Sequence, residues 1–140
     1  VNTAAGTPGK VYVKLHPVQS EFVTEQILEL CATLPNVEVT NANVHDLIVA
    51  SDVIVSQNSA VGFEALMYKK PVITCAKTDY HHATIVAKTA EELTAAVRAA
   101  PNTLSDFPYE KYFYWFMREN MLEPKSDDFA DRVWERLGKT

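Results

Sequence analysis

The sequence predicts an α/β fold with a single Rossmann-like, doubly wound parallel sheet of about five strands, followed by two additional C-terminal helices. Short apolar runs alternate with segments of helical spacing as far as residue 101. This alternation is typical of parallel strands joined by crossover helices. Beyond Pro101 the alternation stops and two helical patterns follow each other directly. The 140 residues, 47% of them hydrophobic, suffice for one domain with one buried core.

The strands and helices follow from periodicity and from capping residues. In the first strand, Val11, Val13 and Leu15 recur at the period of two that a half-buried strand requires. Ser20 is a predicted helix cap, and Thr89 with Glu92 matches a capping box in which each side chain satisfies a free amide. Strands are predicted at residues 11–15, 37–40, 52–55, 71–75 and 83–86, and helices at residues 21–34, 44–50, 60–69, 90–100, 109–121 and 127–137.

The chain is expected to divide into three segments. Residues 1–9 are small and polar and are predicted to be a linker or the cut end of a longer chain. Residues 10–101 form the Rossmann-like domain, and residues 102–140 are C-terminal helices packed on the same domain. The first of these helices carries six aromatic residues between Tyr109 and Phe116, which are expected to cover the open end of the sheet or to meet another domain.

The composition excludes several classes of protein. A net charge of −5 argues against a general nucleic-acid binder, whose affinity depends on clustered cations. No run of about 18 apolar residues occurs and no charged-then-apolar leader opens the chain, so a cytoplasmic location is predicted. Cys31 and Cys75 lack the close partner that a zinc or redox motif requires, and both are expected to be reduced and buried.

The first candidate site lies at the end of the first strand. The strand period places Tyr12, Lys14 and His16 on one side, with His16 at the carboxyl end, where open α/β sheets bind ligands. A neutral imidazole donates one hydrogen bond to a phosphate oxygen, and Pro17 ends the strand and fixes the turn. A histidine that merely terminates a strand would show the same His-Pro pair, so this signal alone is weak.

The second candidate site precedes the helix predicted at residues 60–69. Ser59 is its predicted cap, and the side chains of Gln57 and Asn58 converge with the first free backbone amides where anions are favoured. The helix dipole contributes only about 0.3–1 kcal/mol, so directed hydrogen bonds must supply most of the phosphate affinity. Glu64, one turn further along, is suited to accept hydrogen bonds from a ribose diol; the alternative is a solvated helix residue.

Together these motifs resemble the capsule polysaccharide biosynthesis family, which includes bacterial transferases of 3-deoxy-manno-octulosonic acid (Kdo). The resemblance covers residues 10–97 and rests on Lys14-Leu15-His16-Pro17, on the Ser-x2-Gly-Phe-Glu-Ala-Leu run that begins at Ser59, and on Lys70-Pro71-Val72. It implies the nucleotide-donor half of a two-domain glycosyltransferase of the GT-B type, inactive alone, acting in capsule or lipopolysaccharide biosynthesis. It also implies a nucleotide-sugar donor, CMP-Kdo being the first choice, and no cofactor.

The resemblance assigns a role to each motif residue. His16, Gln57 and Ser59 would hold the donor phosphate, with His16 stabilising the charge that grows on it, and Glu64 would lie near the ribose. The implied donor site consists of Lys14, His16, Pro17, Gln57, Asn58, Ser59 and Glu64. The glycan or glycolipid acceptor would be bound by an N-terminal domain missing from this sequence. The full protein would be cytoplasmic, with peripheral association at the inner face of the bacterial inner membrane.

The remaining histidines are assigned no catalytic role. His81 and His82 follow the fourth strand, and because adjacent residues rarely point the same way, a two-histidine metal site is not expected. One of them is a candidate contact for the sugar or the base. His45 and Asp46 are predicted to be the solvated start of a short helix.

Two other functions fit the same sequence. The first is half of a UDP-sugar 2-epimerase-like GT-B enzyme, which shares the polar helix start, the Glu-Ala pair and the Lys-Pro-Val strand; preference for UDP over CMP would indicate it. The second is a non-catalytic module that binds a partner through residues 112–116. Absence of any nucleotide affinity would indicate this module.

Overall fold

The computed structural model describes Ala4, residues 6–7, residues 9–102 and residues 106–138. Of the predicted N-terminal linker, residues 1–3, 5 and 8 lie outside this description. Every predicted strand and helix is present, which confirms the α/β fold class. The strands are β1 (Val11–Val13), β2 (Val37–Val39), β3 (Ile54–Ser56), β4 (Val72–Thr74) and β5 (Ile85–Val86). The α-helices are α1 (Glu21–Ala32), α2 (Val44–Ala50), α3 (Ala60–Met67), α4 (Ala90–Ala99), α5 (Tyr109–Asn120) and α6 (Phe129–Arg136), with short 3-10 helices at His81–Ala83 and Ala100–Asn102.

The strands pair in two small parallel sheets. β1 pairs with β2, and β3, β4 and β5 form a three-stranded sheet in that order. The prediction of one five-stranded sheet is therefore wrong in its pairing, although the number and the parallel direction of the strands agree. Hydrophobic periodicity identifies a strand from its own residues, whereas the pairing depends on tertiary contacts that a single segment does not encode.

The first region, β1–α1–β2, carries little buried surface. α1 begins as predicted, because the Ser20 Oγ accepts a hydrogen bond from the Val23 amide at 3.4 Å. No residue of β1, α1 or β2, all of which the structure describes, is fully buried. Phe22 is 68% exposed and Leu30 47% exposed. The helix pattern of the sequence is thus realised without an enclosed core around it.

The core of residues 9–102 belongs to the second region, which runs from α2 through the 3-10 helix that follows α4. All three residues of β4 are buried, and the hydroxyl of buried Thr74 lies 3.1 Å from the Thr84 hydroxyl, so this buried polar group is satisfied. Apolar residues of β5 and α4 pack against Ile73. The buried apolar residues of this region are Ile48, Ala65, Leu66, Val72, Ile73, Tyr80, Ala83, Ala87, Ala96 and Ala100.

The capping box predicted before α4 forms with one difference. The Glu92 amide donates to the Thr89 Oγ1 at 3.2 Å, as predicted. The Glu92 carboxylate, however, accepts from the Lys88 amide at 2.6 Å, one residue before the cap. Hydrogen bonds to the Glu91 backbone and to Thr89 lower the pKa of the neighbouring Glu91 carboxyl. The first turn of α4 therefore begins with well-satisfied amides and acidic side chains.

Residues 108–138 belong to a second compact unit, which comprises α5 and α6. Tyr112 and Phe116 are buried with ring centroids 5.8 Å apart, whereas Tyr114 is 69% exposed. The Arg136 guanidinium donates to the Glu119 carbonyl at 2.6 Å and so links α6 to α5. A surface groove in this unit contains none of the predicted site residues; it is lined by Arg118, Glu119, Arg132, Glu135 and Arg136.

Candidate functional site

Six of the seven predicted site residues follow β1 or β3, at the carboxyl ends of these strands, and the seventh, Glu64, lies in α3. Because β3 and β4 are parallel neighbours, the segments that follow them leave the same edge of the sheet. The Cys75 amide donates to the Ser56 carbonyl at 2.9 Å and joins the two strand ends. The loop at residues 57–59 and the segment from Cys75 to Tyr80 therefore lie side by side at the edge where ligands bind in this fold class.

The loop after β1 presents His16 in a defined tautomer. The Val18 amide donates to the His16 Nδ1 at 3.3 Å, so in the neutral ring the proton resides on Nε2. The Gln19 amide donates to the His16 carbonyl at 3.1 Å and closes the turn around exposed Pro17. His16 itself is exposed. An exposed imidazole with this tautomer can offer its Nε2–H as a hydrogen-bond donor.

Two other side chains of this loop have distinct environments. The Lys14 ammonium donates to the Ala42 carbonyl at 2.8 Å and ties the end of β1 to the segment after β2. Gln19, which the sequence analysis did not single out, has a buried Nε2 with no hydrogen-bond partner among the described residues. A buried amide donor of this kind is rare in native structures and points to an acceptor from water or ligand. Nothing in the sequence indicates this burial, because a glutamine between a His-Pro pair and a helix cap matches no ligand-binding motif.

The loop after β3 is organised by Ser59, the cap of α3. The Ser59 Oγ accepts from the Val61 amide at 3.3 Å, which confirms the predicted cap. The Ser59 amide in turn donates to the Ser56 Oγ at 3.2 Å. The Val61 amide is occupied by the cap and the Gly62 amide by the Ser59 carbonyl, so fewer amides are free than predicted. The Ala60 amide and the Ser59 hydroxyl proton are two donors at this helix start that can serve an anion. Gln57 and Asn58 are exposed beside them.

Tyr80, which the sequence analysis overlooked, fixes this helix start from the next loop. Its ring is 4% exposed, and its hydroxyl donates to the Ser59 carbonyl at 2.5 Å. A Cβ at Gly62 would lie 2.6 Å from the Tyr80 hydroxyl, so the close approach requires glycine. Burial, followed by the negative charge of Asp79, raises the pKa of Tyr80. Because Tyr80 is 21 residues from Ser59, no local pattern could reveal the contact.

Glu64 faces the short helix α2. Its Oε2 lies 3.9 Å from the Nε2 of His45, and the other ring nitrogen of His45, Nδ1, lies 3.4 Å from the Tyr68 hydroxyl. His45 is exposed, as predicted for a solvated helix start, but its contact with Glu64 was not foreseen. The half-buried carboxylate thus has a polar neighbour on the adjoining helix.

The remaining histidines and the cysteines differ from expectation. The His81 and His82 rings have centroids 3.9 Å apart, so the two side chains do lie together, contrary to the reasoning that adjacent residues diverge. In the described part of the chain, no three His, Cys, Asp or Glu residues form a group that could hold a metal ion. Cys31 is half-buried and Cys75 exposed, which corrects the prediction that both are buried; both are free thiols.

The structure therefore joins some predicted residues and leaves others apart. Ser59 and Gly62 meet Tyr80 at the start of α3, and Glu64 meets His45 one turn later. Within residues 9–102, no hydrogen bond or ion pair connects the His16 loop to residues 57–59.

Among the helices that the structure describes, none has the length and apolar character to cross a membrane.

A comparison with known proteins bears on both loops. A protein-family model described as capsule polysaccharide biosynthesis protein matches residues 2–114. No curated protein and no solved structure matches the chain significantly. The matched range includes every predicted site residue and extends past both ends of the segment, residues 10–97, on which the motif resemblance rested.

Proposed function

The chain belongs to the capsule polysaccharide biosynthesis family, and we propose that it is the nucleotide-sugar-binding part of a bacterial glycosyltransferase. Membership gives a role in capsule synthesis. The observation that carries the proposal further is the start of α3, where Ser59 caps the helix and Tyr80 holds the Ser59 carbonyl from the neighbouring loop. This arrangement fixes a helix N-terminus at the carboxyl edge of a parallel sheet, a favourable place for a phosphate.

The proposed donor is a CMP-activated acidic sugar such as CMP-Kdo. Three donors suit its phosphate: the Ser59 hydroxyl, the Ala60 amide and the Nε2–H of His16. A hydrogen bond to a charged group contributes about 1.5–3 kcal/mol, and the dipole of an exposed helix end about 0.3–1 kcal/mol. The directed hydrogen bonds therefore account for most of the affinity. The buried Nε2 of half-buried Gln19, in the same turn as His16, supports a polar ligand at this loop.

The same groups would assist the reaction. When the bond between the anomeric carbon and the phosphate oxygen breaks, the electron pair leaves with the phosphate, and the acceptor hydroxyl forms the new bond to that carbon as it loses its proton. Donors already held in place stabilise the growing charge without reorganising. His16, with its tautomer set by the Val18 amide, fills this role. The base that takes the acceptor proton is assigned to no residue of this chain.

The other predicted residues serve recognition in this proposal. Glu64 accepts from the ribose diol, and the exposed amides of Gln57 and Asn58 contact the donor as it enters. Lys14 contributes charge at a distance, because its ammonium is bound to the Ala42 carbonyl. The acceptor, a capsule or lipopolysaccharide glycan, would be bound by a further domain, with the protein at the cytoplasmic face of the inner membrane.

Calorimetric titration of this chain with CMP, UDP and inorganic phosphate tests the proposal. CMP is expected to bind most tightly of the three. His16→Ala should lower the affinity for CMP about tenfold, because one charged hydrogen bond is lost. Glu64→Ala should lower the affinity for CMP and leave the affinity for phosphate unchanged. Gln26→Ala, an exposed change on α1 outside both loops, is the matched control. Unchanged CMP binding in both site variants would contradict the site. A preference for UDP would favour an epimerase-like enzyme, and no binding at all an interaction module.

A further inference from the structure

The His45 ring lies near two polar side chains, Glu64 in α3 and Tyr68 at the C-cap of α3. His45 occupies the first turn of α2, where its backbone amide donates to the Asn43 Oδ1 at 2.8 Å, which fixes the local backbone. Its ring reaches Tyr68 through Nδ1 at 3.4 Å and Glu64 through Nε2 at 3.9 Å. Tyr68 is the C-cap of α3, four residues after Glu64, so the two side chains lie on the same side of the helix. The imidazole bridges that face.

From this arrangement we propose that His45 is a positioning residue that holds the Glu64 carboxylate for the ribose of the donor. The inference rests on the proposed nucleotide-binding function. With the Tyr68 hydroxyl donating to Nδ1, the Nε2 of His45 carries the proton and lies 3.9 Å from Glu64 Oε2, and the second oxygen of Glu64 is left for the ribose diol. His45 does not itself touch the ligand in this arrangement.

The distances decide what kind of effect to expect. At 3.9 Å, the contact between His45 and Glu64 is longer than a hydrogen bond and acts as an electrostatic restraint. Both side chains are partly exposed, and exposed pairs of this kind change equilibria by no more than about fivefold. Loss of His45 is therefore expected to alter selectivity for the ribose rather than the folding of the chain.

The discriminating measurement is the ratio of affinities for CMP and 2′-deoxy-CMP, obtained by calorimetry on the same chain. One hydrogen bond from the 2′-hydroxyl to a carboxylate predicts a preference of about tenfold for CMP in the unsubstituted protein. Glu64→Gln is expected to abolish most of this preference and His45→Ala to reduce it to about two- to threefold. His45→Gln, which retains an N–H donor, is expected to restore most of it. A variant that only loses stability would bind both nucleotides less tightly by the same factor, and the ratio of the two affinities would not change.

Two further variants complete the test. Asp46→Ala, an exposed change beside His45, is the matched control and should keep the full ratio. The double variant His45→Ala with Glu64→Gln should reduce the preference for CMP no further than Glu64→Gln alone, because both substitutions remove the same contact. If His45→Ala keeps the tenfold preference for CMP, the role of His45 is overturned and the proposed nucleotide site is unaffected. Equal binding of both nucleotides by the unsubstituted protein would overturn the ribose role of Glu64 and the inference, and no nucleotide binding would overturn the proposed function itself.

Discussion

The two regions of residues 9–102 are built from the same strand-helix alternation but differ in burial. In the first region, β1–α1–β2, strands and helix are at most half-buried, and α1 exposes Phe22 and Leu30. In the second, β4 is buried along its whole length and α3 buries Gly62, Ala65 and Leu66. The same local sequence pattern is therefore found with much burial in one region and little in the other. Segments with few buried apolar contacts open more readily than those in a core.

This difference separates the two halves of the candidate site. Ser59 belongs to the buried region and is held by Tyr80, whereas His16 belongs to the open region and is held by one turn. Donors that stabilise developing charge act best when they are already in position. In the proposed phosphate site, the start of α3 would be the more firmly held part and the His16 loop the less firmly held part.

The largest expected effect compares a leucine from each region. Leu66→Ala, at a site with 0% exposure, is expected to lower the free energy of unfolding by about 2–5 kcal/mol through lost burial and a residual cavity. Leu30→Ala, on exposed α1, is expected to cost less than about 1 kcal/mol. Urea denaturation of both variants measures the difference. Similar losses would show that the two regions are equally packed in solution.

The second prediction concerns the contact that holds Ser59. In Gly62→Ala, the new methyl group would meet the Tyr80 hydroxyl at 2.6 Å and destabilise the fold by about 1–3 kcal/mol, despite a gain in helix propensity of up to about 1 kcal/mol. Adding Tyr80→Phe removes the nearest atom and leaves ring carbons at 3.2 Å, so part of the loss should be recovered. Urea midpoints of the single and double variants test this. A Gly62→Ala protein more stable than the original would refute the tight approach.

The sequence predicted local structure well and long-range contacts poorly, for a physical reason. The cap Ser59 and the bounds of α2 follow from neighbouring residues, and the structure reproduces both. Two contacts join residues that no periodicity links: the hydrogen bond from Tyr80 to Ser59, 21 positions apart, and the contact between His45 and Glu64, 19 positions apart. The split into two sheets is of the same kind, because it depends on which strand edges meet. The motif residues pointed to the family, but the residues that hold them in place appear only in the fold.

The smallest expected effect is a pH dependence confined to the buried region. Burial first, and then the charge of Asp79, raises the pKa of Tyr80, so the folded state favours the neutral phenol. In the unfolded chain a tyrosine titrates near pH 10, as a rough reference value. The stabilising contribution of Tyr80 is therefore complete below that pH and is lost as the pH rises through the higher folded value.

Tyr80→Phe tests this contribution against a control from the exposed surface. At neutral pH it should lower stability by about 0.5–1.5 kcal/mol, because the hydrogen bond to the Ser59 carbonyl is lost. Above about pH 10 the difference from the original protein should shrink, since the tyrosine then favours unfolding. Urea titrations between neutral pH and about pH 11 measure the difference, with Tyr114→Phe, 69% exposed, as the matched control. A constant difference across this range would mean that the start of α3 is held by contacts other than the neutral Tyr80 phenol, and the more firmly held part of the proposed site would then need another anchor.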